Sequence, residues 1–207
     1  GTGMLAGYGE PLLSKNAVDM VRALSPVANT EVTTNGDPLT PGLIGDLIEA
    51  GIGKIILSLY DGPHQIDEFT SLFNEAGAPE DVFILRDRWY SVDDEFGVKL
   101  TNRAGTVSAG HQPEVQTDKP CYYPHYMMMI DWNGDAFLCT QDWNRRVKSG
   151  NVFLTSLLDV WTSSNLRKYR KMLGNGKRGL WPCQGCNAVG TIHGEVHKDA
   201  WNEFYGK

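Results

Sequence analysis

Three times within its first hundred residues the chain sets a short apolar run, a turn of small and polar residues, and a helix-periodic segment one after another. Met4 to Ala6 reads as a strand end, Gly7-Tyr8-Gly9-Glu10-Pro11 turns the chain, and Ala17, Met20, Val21 and Leu24 share one face of a helix over Asn16 to Leu24. Glu31 to Thr34 and the turn Asn35-Gly36-Asp37-Pro38 repeat the unit, with Thr40 placed to cap a helix carrying Leu43, Ile44, Leu47 and Ile48. Lys54 to Leu59 is a third, strongly apolar strand, followed by a helix over Gln65 to Ala76 and a strand at Val82 to Leu85. Parallel strands need a crossover of a dozen or more residues, which a helix supplies. Counting Val98 to Thr101 as a last strand, the pattern predicts an α/β arrangement of five strands and three helices.

From Thr106 to Lys119 the chain turns polar and small, as a linker does, and beyond it the character changes. Tyr126 to Asp131 and Ala136 to Leu138 flank Trp132-Asn133-Gly134-Asp135, and Asn-Gly in a short connection predicts a hairpin. Ser156 to Leu173 reads as one helix, ended near Gly174 and Gly176. With 41% hydrophobic residues the chain has enough for a core, and a net charge of −6 disfavours nucleic-acid binding through phosphates. The short basic run Arg167, Lys168, Arg170, Lys171 lies at helical spacing and reads as a solvated face. No stretch approaches the ~20 apolar residues of a membrane span, so a cytoplasmic protein without membrane contact is expected.

All four cysteines, Cys121, Cys139, Cys183 and Cys186, fall in the second half. Cys121 and Cys139 stand at the outer ends of the expected hairpin, and Cys183-Gln184-Gly185-Cys186 is a C-x-x-C turn that presents two thiolates together. One four-thiolate metal site closes the count. A closed tetrahedral zinc site, an iron-sulfur cluster, two disulfides and four unrelated buried thiols are the competing readings.

The surrounding residues resemble the radical S-adenosylmethionine enzymes that carry a C-terminal SPASM or twitch domain. Cys121, twelve residues, Gly134, four residues and Cys139 are similar to the opening of that domain, and Cys183 to Cys186 to its next element. Gly150-Asn151-Val152 and Ser156 to Trp161 resemble the stretch between them, while the later cysteines of a full SPASM domain do not occur. The resemblance implies one auxiliary [4Fe-4S] cluster on Cys121, Cys139, Cys183 and Cys186. It also implies S-adenosyl-L-methionine as cofactor. Gly7, Gly9 and Glu10 would receive its ammonium group, Asn35 would line the next turn, Ser58 and Asp61 would contact its ribose, and Arg86 and Arg88 would pair its carboxylate. Arg103, in Asn102-Arg103-Ala104-Gly105, would be the catalytic residue between substrate and cluster.

The expected organisation is a partial (βα)6 barrel over residues 1–105, a linker over 106–119 and an auxiliary-cluster domain over 120–207. The family holds its catalytic [4Fe-4S] cluster on C-x3-C-x2-C, and no cysteine precedes Cys121. The chain is therefore expected to lack that N-terminal segment with its first strand, to make no radical by itself, and to self-associate through an open sheet edge. The intact enzyme would oxidise a small alcohol or aminocyclitol-like substrate, with flavodoxin or ferredoxin as electron donor. A peptide-modifying maturase and a non-catalytic zinc-binding module are the alternatives. His125 as a further ligand, Met127 to Met129, the tryptophans, and His193 with His197 read as structural.

Overall fold

The computed structural model of the protein describes residues 1–92, 95–108, 112–191 and 195–205. His193 lies outside them. Two compact units divide the chain, Gly1–Lys99 and Leu100–Lys207.

The first unit is built on β1 (Thr2–Leu5), β2 (Asn29–Thr34), β3 (Lys54–Leu59) and β4 (Phe83–Asp87), which pair in that order, all parallel. The crossovers carry α1 (Ala17–Leu24), α2 (Pro41–Glu49) and α3 (His64–Glu75). Strand β3 shows why the sheet is central: Ile55, Ile56, Leu57, Ser58 and Leu59 are all buried, as expected of a strand covered on both faces. Val21, Ile44, Leu47, Phe69 and Phe73 from the helices pack with Val32, Ile55, Leu57 and Leu59. Each such side chain contributes about 1.5–3 kcal/mol on leaving water.

Local chemistry sets the helix starts. Thr40 accepts the Leu43 N–H at 3.1 Å and Pro41 opens α2. After Glu10, Pro11–Leu13 forms a 3-10 turn whose Leu12 N–H is taken by the Glu10 carboxylate at 3.0 Å. The expected strand Val98 to Thr101 does not join the sheet. Instead β5 (Trp89–Val92) and β6 (Glu95–Val98) form a separate antiparallel hairpin, because the chain doubles back at once after β4, with no crossover to return it parallel.

In the second unit β7 (Met129–Ile130), β8 (Asp135–Phe137) and β9 (Lys148–Asn151) form a small antiparallel sheet. The expected hairpin is present but shorter, since residues 123–126 form the helical turn α4 (Tyr123–Tyr126), with Pro124 in its first turn. Gly134, at φ +81°, closes the hairpin by donating to the Asp131 carbonyl at 2.9 Å. The single helix expected from Ser156 to Leu173 is two. Ser156 caps α5 (Leu157–Trp161) and Ser163 caps α6 (Ser164–Gly174), each hydroxyl accepting a backbone N–H three residues on. A last helix, α7, spans Glu195–Tyr205. No helix among the described residues is long and apolar enough to cross a membrane.

Gly36 sits at φ +93°, and a Cβ there would overlap the Phe69 ring, whereas a Cβ on Gly45, inside α2, meets nothing within 4 Å. Gly36→Ala is expected to lower stability by about 1–3 kcal/mol, and Gly45→Ala to raise it by about 0.5–1 kcal/mol. Urea unfolding of the two variants beside the parent checks both signs.

Candidate metal centre and strand-end polar cluster

In the second unit the four cysteines enter from three directions. Cys121 precedes α4 and donates its own N–H to Leu173 at the end of α6, Cys139 follows β8, and Cys183 opens a 3-10 turn, Cys183–Gly185, that delivers Cys186. All four are free thiols. Cys139 and Cys183 belong to the core formed by Leu138, Val147, Leu166, Tyr169 and Leu173, and Cys186 packs with Ala104 and Ala188.

Each thiol feels others of the set. Burial pushes Cys139 well above the ordinary thiol range, with the charges of Cys183, Cys121 and Cys186 adding to it. Burial raises Cys183 to about 12. Cys121 and Cys186 are also raised by burial, offset by backbone N–H donors from Tyr123 to Cys121 and from Ala188 and Ala104 to Cys186, and by the Arg178 charge. Amides aimed at sulfur and a nearby cation favour thiolate, so the donor chemistry fits metal-bound sulfur. Gly190, at φ +75°, leaves room where a Cβ would stand 2.5 Å from Cys121 Sγ.

Four thiolates at ~2.3 Å from one zinc would stand about 3.8 Å apart. Among the described residues, no three His, Cys, Asp or Glu side chains converge closely enough to hold a single ion. Four thiols in one unit, with amides and an arginine charge acting on their sulfurs, are a donor set that fits an iron-sulfur cluster.

Beside this set runs the loop of Asn102 and Arg103. Asn102 N–H donates to Asn187 Oδ1 at 2.8 Å, Asn187 N–H returns a bond to Asn102 Oδ1 at 3.2 Å, and Asn102 Nδ2 reaches the Gly185 carbonyl at 2.7 Å. This reciprocal clasp holds three successive left-handed residues, Arg103 at φ +47°, Ala104 at +55° and Gly105 at +84°. For the two non-glycine residues that backbone is strained, each by about 1–3 kcal/mol. Arg103 stacks over Trp143 at 5.2 Å, and its charge acts on Cys186 and Tyr123.

In the first unit, the expected cofactor residues lie at the C-terminal ends of the parallel strands. Gly7, at φ +148°, Gly9 and Glu10 follow β1, Asn35 follows β2, Ser58 and Asp61 are at or beyond the end of β3, and Arg86 and Arg88 end β4. A Cβ on Gly9 would meet nothing within 4 Å. The Glu10 carboxylate already accepts from Leu12 N–H, Thr34 Oγ1 at 2.8 Å and Asn35 N–H at 2.8 Å, tying the first turn to the second. Asn35 turns its side chain onto Asp37, and Asp61 is bonded to Gln65. Arg88 Nε donates to Ser58 Oγ at 3.4 Å, while Arg86 is exposed. A groove of about 560 Å³ runs beside the second turn and α3, and of these residues it takes in Asp61.

His125 stays apart from the thiols' chemistry. It is 1% exposed, neither ring nitrogen has a hydrogen-bond partner among the described residues, and burial lowers its pKa to about 4. Sequence reasoning missed Arg178, Asn187 and Gly190. Asn187, directly after Cys186, and the arginine five residues before Cys183 stand close to the cysteines in sequence, but neither spacing signals a buried clasp.

Residues 121–187 match the SPASM family, described as an iron-sulfur cluster-binding domain. A curated S-adenosyl-L-methionine-dependent 2-deoxy-scyllo-inosamine dehydrogenase of Niallia circulans is 30% identical over 187 residues, covering 88% of this chain and 71% of that protein. Among solved structures, BtrN in complex with AdoMet and 2-DOIA is 29% identical with a TM-score of 0.75, over 91% of this chain and 73% of that one. Native anSMEcpe with bound AdoMet and Kp18Cys peptide shares the fold, at 12% identity and a TM-score of 0.51, over 99% and 82% of the two chains.

Burial raises the Cys183 pKa to about 12, so at pH 8 this thiol in the metal-free chain is far less ionised than an ordinary one. Iodoacetamide at pH 8 is expected to label Cys121, the least buried of the four, first and Cys139 last, as read by peptide mass spectrometry. Because the fold holds these protons more tightly than the unfolded chain does, metal-free stability falls as pH rises from about 9 toward about 12.

Proposed function

This chain belongs to the radical S-adenosylmethionine oxidoreductases with a SPASM-type iron-sulfur domain, and from that footing we propose that it serves the oxidation of a small aminocyclitol-like alcohol beside one auxiliary [4Fe-4S] cluster held by Cys121, Cys139, Cys183 and Cys186. In this reading the parallel sheet is part of a (βα)6 barrel and residues from Leu100 onward form the auxiliary domain. The observation that carries it is the Asn102–Asn187 clasp, which fixes the strained Arg103 loop against the Cys183–Cys186 turn within one unit. Strain of that kind persists where a side chain must be aimed.

When bound, S-adenosylmethionine and the clusters supply a 5'-deoxyadenosyl radical that removes a hydrogen atom from the alcohol carbon and an acceptor for the electron left behind, so that loss of the hydroxyl proton completes a ketone. The protein's own residues orient and hold. Three of the roughly four lone-pair sites of the Glu10 carboxylate are used by Leu12, Thr34 and Asn35, leaving one for the ammonium group of the cofactor. Ser58 and Asp61 would hold the ribose hydroxyls, and Arg86 and Arg88 would pair the carboxylate. Arg103 binds the substrate oxygen, and its charge favours departure of the hydroxyl proton as oxidation proceeds. Cys121, Cys139, Cys183 and Cys186 would together fill the iron coordination of an auxiliary cluster, leaving it suited to electron transfer and not to substrate binding.

Anaerobic reconstitution should load about four irons and four sulfides on these cysteines. One zinc per chain and no sulfide would sink the reading. In a protein that joins these residues to the family's C-x3-C-x2-C segment, S-adenosylmethionine, a one-electron reductant and 2-deoxy-scyllo-inosamine should yield methionine and 5'-deoxyadenosine from the cofactor and a ketone from the alcohol. Arg103→Ala should lower product formation about 10²-fold or more with iron content unchanged. Full turnover by Arg103→Ala would remove Arg103 from the site.

A further inference from the structure

Arg178 is 2% exposed, and its guanidinium makes four hydrogen bonds, all to backbone carbonyls. Nε donates to Lys119 at 2.8 Å, Nη1 to Ala188 at 2.7 Å, and Nη2 to Pro120 at 2.9 Å and Val189 at 2.6 Å. Lys119 and Pro120 lead into Cys121, while Ala188 and Val189 lead out from Cys186. One side chain thus clasps the two segments that carry the first and last cysteines.

All four acceptors are neutral. Among the described residues no carboxylate pairs with Arg178; the buried Asp142 of the same unit accepts from the Arg146 and Val147 amides. A guanidinium removed from water with no opposite charge is strongly unfavourable, so a fold that keeps one supplies the counter-charge in another form. The anionic group within reach is the thiolate set, since the Arg178 charge acts on Cys121, Cys183 and Cys186. Four thiolates outweigh the positive charge of a cubane core, leaving the loaded centre a net anion.

We propose that Arg178 is the built-in counter-cation of the iron-sulfur centre, raising its reduction potential through its buried charge while its four-carbonyl clasp holds the cysteine loops in place. This rests on the cluster reading above. Arg178 is a positioning residue: it touches neither iron nor substrate, and acts through the field at the sulfurs and the spacing of the loops. Added negative charge on the reduced centre is stabilised by a buried cation, so removing the cation favours the oxidised state.

The test compares the reconstituted parent chain with Arg178→Gln and Arg178→Lys, reading iron and sulfide content and the midpoint potential by redox titration with electron paramagnetic resonance. If the parent takes up no sulfide, the cluster reading fails before Arg178 is in question. Given a loaded parent, Arg178→Gln should shift the one-electron equilibrium at least tenfold toward the oxidised cluster, about 59 mV. Arg178→Lys, which keeps the charge and loses the fork, should load less completely at a potential close to the parent's. An unchanged potential in Arg178→Gln overturns the proposal, as does an Arg178→Lys potential that falls as far as that of Arg178→Gln. Should Arg178→Gln load no cluster, Arg178→Lys decides: loading at the parent's potential supports the counter-charge, and failure to load reduces Arg178 to a backbone staple.

Discussion

The second unit closes around four cysteines, and most of its other features serve that closure. Its sheet is minimal, with strands of two, three and four residues. Two of the thiols lie inside its main apolar cluster, so these thiols and the core are one structure. When a site forms only in the folded state, the free energy of metal binding becomes free energy of folding. The missing Cβ of Gly190 leaves room for Cys121, and the Arg178 fork and the Asn102–Asn187 clasp bear on the segments around Cys121 and Cys183–Cys186. Each fixes a cysteine loop by backbone contacts that the short strands do not supply.

The first unit solves a different problem. A parallel sheet covered by helices exposes its polar backbone and side chains at the strand ends, and the turns after β1, β2 and β3 gather there with the end of β4. Glu10 joins the first two of these turns, using its carboxylate as a bridge. Arg88 and Ser58 join the last two strands in the same way. Polar residues that look like isolated turn formers in one dimension become neighbours because parallel register aligns every strand end on one edge.

Much of this was legible in the sequence. The helix cap Thr40, the central apolar strand at Lys54–Leu59 and the Asn-Gly hairpin all rest on local chemistry, and local chemistry survives in the fold. The departures come where two local readings compete. Ser163 is tolerable inside a helix and better at its start, so the stretch from Ser156 breaks there into two capped helices. Residues near Val98 have strand character, but character alone does not choose a partner; the adjacent Trp89–Val92 segment takes them into a hairpin. The strand-end candidates, from Gly7 to Arg88, followed from a family resemblance and not from spacing.

By itself the sequence determined the alternation of strand and helix in the first hundred residues, the hairpin at Asn133-Gly134, and the presence of four cysteines with a C-x-x-C turn, because each depends on residues a few positions apart. Only the tertiary structure decided that Cys139 and Cys183 share one apolar cluster, that Asn102 is paired with Asn187 across 85 positions, and that Arg178 is buried with neutral acceptors on both sides of it. Those facts rest on long-range packing and on which charges lose their water, and neither is written in the neighbouring residues.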